Sequence, residues 1–268
     1  MEKKKIFLIS VLVAIFLGAL FIRLHTNFKQ RLLLAIDSPY YLVETNYLIN
    51  NWPNLPDPAP PVVFHVLAGI HGILSPFGAS LMTSLKIGSA LISAIIAFTV
   101  YLMTKQLTKN WMTALVAAFL AAFVHANLRI FQDFWKNALA VSLAPLSVFF
   151  FHKGIETHRK RDLLVAGILL GVVAATHELV ACALGIAYLS YVGFLIGYRM
   201  RLPWPEIKAT LITFSAVVPF GGIYILMNRG AIATVGHVDP FFGEELPNQI
   251  KIYDEFIGPL LLVLAVVG

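Results

Sequence analysis

Apolar runs of 13 to 20 residues follow one another along this chain with almost no charge inside them. That feature limits what the chain can fold into. The runs cover residues 6–22, 87–103, 111–124, 137–151, 163–175, 179–198 and 209–227, and an eighth begins at Phe256 and continues to Gly268. Crossing a hydrocarbon core of roughly 30 Å takes about 20 apolar residues, fewer where the bilayer thins. None of the runs alternates apolar with polar as a barrel strand does, so helices are left as the way to satisfy the backbone in lipid. The predicted fold is all-α: a polytopic transmembrane bundle of about eight spans, the last incomplete, with residues 1–268 forming one transmembrane domain.

Composition agrees. Hydrophobic residues make up 59% of the chain, charged residues 13%, and mean hydropathy is +0.80, whereas a soluble domain would carry about twice that charge. The basic start Lys3-Lys4-Lys5 and the run after it resemble a signal peptide. The run is long for one, however, and Arg23-Leu24-His25 follows it in place of a cleavage motif, so it reads as an uncleaved first span. Cys182 allows no disulfide within the chain and is expected to pack as a small residue among helices.

The net charge of +6 would suit nucleic acid, but its placement points to topology. Alternate connections collect twelve of the twenty basic residues, from Lys3 and Lys105 through Lys109, Lys153, Arg159 and Arg161 to Lys208, with only four acids. The remaining connections hold eight basic and ten acidic residues. By the positive-inside rule the first set is cytoplasmic and so is the N-terminus. The expected setting is a multi-pass protein of the plasma membrane, surrounded by lipid and with no nucleic-acid partner.

Two outer connections are long, residues 23–86 and 228–255. In the first, Asp37-Ser38-Pro39 carries the capping chemistry of a helix start. Tyr40, Tyr41, Val43, Tyr47 and Leu48 continue it as an aromatic segment suited to the interface. The Pro-rich stretch from Trp52 to Pro61 ends it. Residues 62–74 are apolar but too short to span comfortably, and they read as a second interfacial or re-entrant helix.

Ionisable groups at the outer ends of spans are the chemical candidates, because charge at membrane depth is costly unless it works or pairs. Asp37 offers a carboxylate as general base or metal ligand; its plain structural role would be a solvated N-cap. His125, Arg129, Asp133 and Lys136 fall on one face if a helix continues through them. Such a face suits an anionic phosphate, with a divalent ion at Asp133. An ordinary Arg129–Asp133 pair with a snorkelling Lys136 is the plain alternative. Thr176-His177-Glu178 is all that separates two spans, so His177 and Glu178 either line a polar cavity or cap a hairpin. His65, His71 and His237 read as packed or interfacial residues.

Ala35-Ile36-Asp37-Ser38-Pro39-Tyr40-Tyr41 opening an outer loop, then Pro60-Pro61-Val62-Val63-Phe64 leading a second apolar helix, resembles the GT-C glycosyltransferases. The segment Arg129-Ile130-Phe131-Gln132-Asp133-Phe134-Trp135-Lys136-Asn137-Ala138-Leu139 is similar to that family's second outer acidic motif. The resemblance implies an integral membrane enzyme taking a sugar from a polyprenyl-phosphate donor to a glycan, lipid or protein acceptor. It implies Asp37 as the catalytic carboxylate and Asp133 as the second acid, with Mg or Mn as the metal where one is held. Arg129 and Lys136 are added from their chemistry as donor-phosphate contacts, and Tyr40, Tyr41, His125, His177 and Glu178 as cavity lining. The chain lacks a D-x-D first motif and a W-W-D-Y-G sequence, and it ends in its eighth span, so it reads as a fragment or minimal member. A non-catalytic relative or transporter-like bundle is the alternative. A transporter would carry inverted repeats and mid-span charges.

Overall fold

The computed structural model describes residues 2–29, 38–52, 61–124, 135–199 and 204–227. Within them the chain is helical, with no strand. The helices are α1 (Glu2–Lys29), α2 (Ser38–Asn51), α3 (Val62–Leu74), α4 (Leu81–Ala94), α5 (Ile96–Thr108), α6 (Trp111–Phe123), α7 (Trp135–Thr157), α8 (Lys160–Thr176), α9 (Glu178–Arg199) and α10 (Trp204–Met227). A 3₁₀ turn, Ser75–Phe77, follows α3. The all-helical membrane bundle expected from the sequence is therefore what forms. The eighth apolar run and the tract 228–255 lie outside the described residues.

Among the described residues, three stretches are long and apolar enough to cross a membrane: Ile6–Lys29, Leu81–Thr108 and Trp135–Thr157. Shorter apolar helices are Val62–Phe77, Trp111–Phe123 and Val180–Ile196. The 13 residues of α6 rise about 20 Å, short of a full core. Large apolar side chains point outward along several helices, among them Ile6, Phe21, Val116, Phe119, Ile186, Phe194, Leu211 and Val218. Small and polar residues are turned inward instead: Ala19, Ala94, Ala97 and Ala122 make one cluster, and Ser84, Ser93, Ser142, Ser147 and Thr213 are buried. That distribution suits lipid. Helices gain nothing there by hiding leucine from hydrocarbon, and they associate through close backbones and hydrogen bonds.

Side-chain hydrogen bonds fix the register. Asn27 donates from α1 to the Lys86 carbonyl of α4 at 2.9 Å. Ser142 of α7 donates to the Ile92 carbonyl at 3.0 Å, and Gln106 donates to Glu156 at 2.7 Å, so α7 runs parallel to α4 and α5. Ser147 donates to the Ala166 carbonyl at 2.8 Å and lies 2.7 Å from the Tyr188 hydroxyl, which ties α7 to α8 and α9. Gly167 faces Thr213 and Ala216 of α10 so closely that a Cβ would strike the Thr213 carbonyl.

Two helix boundaries correct the sequence reading of a loop over 23–86. Helix α1 continues through Arg23 to Lys29, and α4 begins at Leu81, so both ends of that tract are helical. Arg23 fits inside a helix because its guanidinium donates to the carbonyls of Ala19, at 3.0 Å, and Ala122, at 2.9 Å. Ser80 starts α4 by accepting from the Thr83 amide. Cys182 is a second correction: it is exposed rather than packed between helices.

With that register, the basic turns after α5 and after α7 share one end of the bundle. Lys109 and Glu156 pair there at 2.6 Å, and Lys153 and Asp162 at 3.6 Å. The opposite end carries α2, α3, the start of α7 and the α8–α9 turn.

Candidate active site at the aromatic junction

Helix α3 is anchored by Val63, Phe64 and Leu67, which lie in a core cluster with Tyr41, Leu48, Leu85, Ile92, Trp135, Ala138 and Leu139. The cluster joins α2, α3, α4, α5 and α7. It explains why the short apolar run 62–74 is a helix at this end: one face packs, while the turn beyond it leaves Phe77 85% exposed.

Within this cluster the first turns of α2 and α7 meet, 95 residues apart in the chain. The Tyr41 side chain is 0% exposed. Its hydroxyl accepts the backbone N–H of Lys136 at 3.0 Å, and its ring stacks on Trp135 at 4.6 Å between centroids. Tyr41 thus ties α2 to α7 through a backbone amide of α7. Tyr40 packs edge-on to Phe64 at 5.3 Å, and the Lys136 ammonium sits 5.1 Å above the Tyr40 ring. Among the described residues no carboxylate forms a salt bridge with Lys136.

Of the residues singled out from sequence, the structure therefore brings Tyr40, Tyr41 and Lys136 together. Asp37, His125, Arg129 and Asp133 lie outside the described residues, as does the side chain of Glu178. His177 occupies the one-residue turn between α8 and α9. Its backbone N–H donates to the Val173 carbonyl, which ends α8, and its carbonyl accepts from Ala181, which starts α9. Since Ser147 of α7 is level with Ala166 of antiparallel α8, equal rise along both helices places His177 roughly level with Lys136.

The two histidines of α3 are packed as expected. His65 lies edge-on to Trp52 at 6.0 Å. His71 Nδ1 is 3.0 Å from the Ser84 hydroxyl, which also lies 3.1 Å from the Ser80 carbonyl. Among the described residues no three His, Cys, Asp or Glu side chains cluster as a metal would need. Sequence reasoning missed Trp135 and Phe64 as parts of this junction. The aromatic spacing around the two acidic motifs was the available signal, but which rings would meet depends on the pairing of distant helices.

Residues 58–223 match the family described as dolichyl-phosphate-mannose-protein mannosyltransferase. The matched stretch includes Lys136 and His177 and begins after Asp37, Tyr40 and Tyr41. No curated protein matches the chain.

Proposed function

The chain belongs to the dolichyl-phosphate-mannose-protein mannosyltransferase family, of GT-C type, and on that premise we propose that it transfers a sugar from a polyprenyl-phosphate donor at the outer membrane surface. Membership makes it a membrane glycosyltransferase. The identity of the centre, the side of the membrane and the roles of residues are the proposal.

The observation that carries it is the docking of Tyr41 on Lys136. Asp37 lies four residues before Tyr41, and Asp133 lies three before Lys136. A chain covers at most about 3.6 Å per residue, so both acidic motifs are tethered to one junction despite their separation in sequence. The basic turns gather at the other end of the bundle, which supports a cytoplasmic N-terminus and a junction on the extracytoplasmic face of the plasma membrane.

The chemistry follows from the groups. A polyprenyl phosphate leaves as an already acidic anion, so it needs charge stabilisation more than protonation. The Lys136 ammonium is suited to that, with Arg129 as a second contact. The acceptor hydroxyl or amine attacks the anomeric carbon while the carbon–oxygen bond to phosphate breaks. The bonding pair goes to the phosphate oxygen, and the acceptor proton goes to the Asp37 carboxylate. One direct displacement inverts the anomeric centre. Should a divalent ion, Mg or Mn, take part, Asp133 and Asp37 are the carboxylates to hold it, and it would add charge beside the phosphate. Tyr40, His125, His177 and Glu178 are assigned to the cavity wall. The acceptor is a glycan, lipid or protein.

The test is transfer of radiolabelled sugar from polyprenyl-phosphate donors by membranes containing the full-length gene product. Removing a general base costs about 10² to 10⁴ in rate, so Asp37→Asn should abolish measurable transfer while membrane insertion is retained. Wild-type turnover in that variant would reject the assignment.

A further inference from the structure

We infer that the consecutive tyrosines Tyr40 and Tyr41 are positioning residues that hold Lys136 at both ends, so that its cation is presented to the lipid phosphate as part of one rigid unit with the segment following Asp37. This rests on the reading of Lys136 as a phosphate contact and adds what sets that contact's geometry.

The two grips are chemically different. Tyr41 takes the backbone: its hydroxyl accepts the Lys136 amide at 3.0 Å, and the stack of Tyr41 on Trp135 fixes the preceding residue. Tyr40 takes the side chain, with the ammonium 5.1 Å from its ring centroid. Lysine carries a long flexible stem, and a charge that must meet a phosphate loses effectiveness if it samples many rotamers. A carboxylate would immobilise it too, but would also cancel its charge. An aromatic face holds the ammonium through its quadrupole and leaves the net charge in place.

Exposure supports the division. Tyr41 is fully buried, whereas Tyr40 is 41% exposed. One ring is therefore an immovable reference, and the other lies at the surface where a phosphate arrives. Tyr40 and Tyr41 are themselves 5.8 Å apart between centroids. Movement of the first turn of α2 would carry both grips, and with them the lysine.

Binding of dolichyl phosphate tests this without knowledge of the sugar. The full-length gene product in nanodiscs of uncharged phospholipid is titrated with that lipid, and each variant's melting temperature is measured alongside. Lys136→Gln should weaken binding about tenfold. Tyr40→Leu should weaken it about threefold to tenfold, and Tyr40→Phe, which keeps the ring, should restore binding to within about twofold. Tyr41→Phe keeps the packing and removes only the hydroxyl, for a loss of about threefold. In the Lys136→Gln background neither tyrosine change should weaken binding further, because the group they position is gone.

Wild-type affinity in Tyr40→Leu, or tyrosine losses that persist undiminished without the lysine, would overturn the inference alone. No binding by the wild type, or no loss in Lys136→Gln, would overturn the phosphate reading beneath it as well. Because Tyr40 is partly exposed, its variants keep the test decisive even if Tyr41→Phe proves unstable.

Discussion

The two ends of the bundle are held by different forces. At the basic end, Glu156 accepts from Lys109 at 2.6 Å and from Gln106 at 2.7 Å, with His152 3.7 Å away. These side chains lie on α5, on α7 and in the α5–α6 turn, and the Lys109 and Glu156 side chains are largely open to solvent. At the aromatic end, Tyr41, Phe64 and Trp135 interlock α2, α3 and α7, and Lys136 rests on the Tyr40 ring. Exposed ion pairs contribute little and are screened by salt. Buried aromatic contacts contribute more and are insensitive to it. The comparison teaches where charge has been kept available. The basic end pairs Lys109 and Lys153 with acids, while at the aromatic end the cation of Lys136 lies over the ring of Tyr40.

The largest expected effect on stability is at the aromatic end. Trp135→Ala removes the ring on which Tyr41 stacks, and emptying an aromatic site of this kind costs about 3–5 kcal/mol. Unfolding in mixed micelles should show that loss equally at low and high salt. If the loss vanished in salt, the contrast between the ends would collapse. A smaller effect belongs to the middle of the bundle. Ser147→Ala removes the donor to the Ala166 carbonyl and leaves the buried Tyr188 hydroxyl without this neighbour, so about 1–3 kcal/mol should be lost. The same measurement in Tyr188→Phe should give a loss that is not additive with it. The smallest effect is at the basic end. Glu156→Gln should cost at most about 1 kcal/mol at low ionic strength and nothing measurable near 1 M salt. A large, salt-independent loss there would show that the pair is structural after all. Sugar transfer by Glu156→Gln should remain at the wild-type level, which separates the two ends functionally.

Much of this arrangement is legible in the sequence because lipid imposes simple rules. The helix after Pro39 and the short helix at 62–74 follow from proline punctuation and apolar length. The ends of spans were read less well, for a definite reason. Hydropathy stops at the first charge, yet Arg23 stays in α1 by donating to carbonyls of its own helix and of α6. Lys86 stays buried within α4, with its ammonium 5.5 Å from the Phe28 ring. A charge whose partner lies on another helix cannot be recognised from its own segment. Cys182 failed in the other direction: in lipid an apolar neighbourhood does not distinguish a packed face from an exposed one.

The sequence by itself determined the class of molecule, the helical segments and the alternation of basic turns, because each depends on local composition against a bilayer of fixed thickness. It also marked Asp37 and Lys136 as candidates by their chemistry. Only the tertiary structure decided that the segment after Asp37 docks on the segment after Asp133, that Tyr41 accepts a backbone amide 95 residues away, and that Lys136 lies over a ring. Those contacts depend on how distant helices pair, and pairing is settled by the joint fit of many side chains rather than by any one segment.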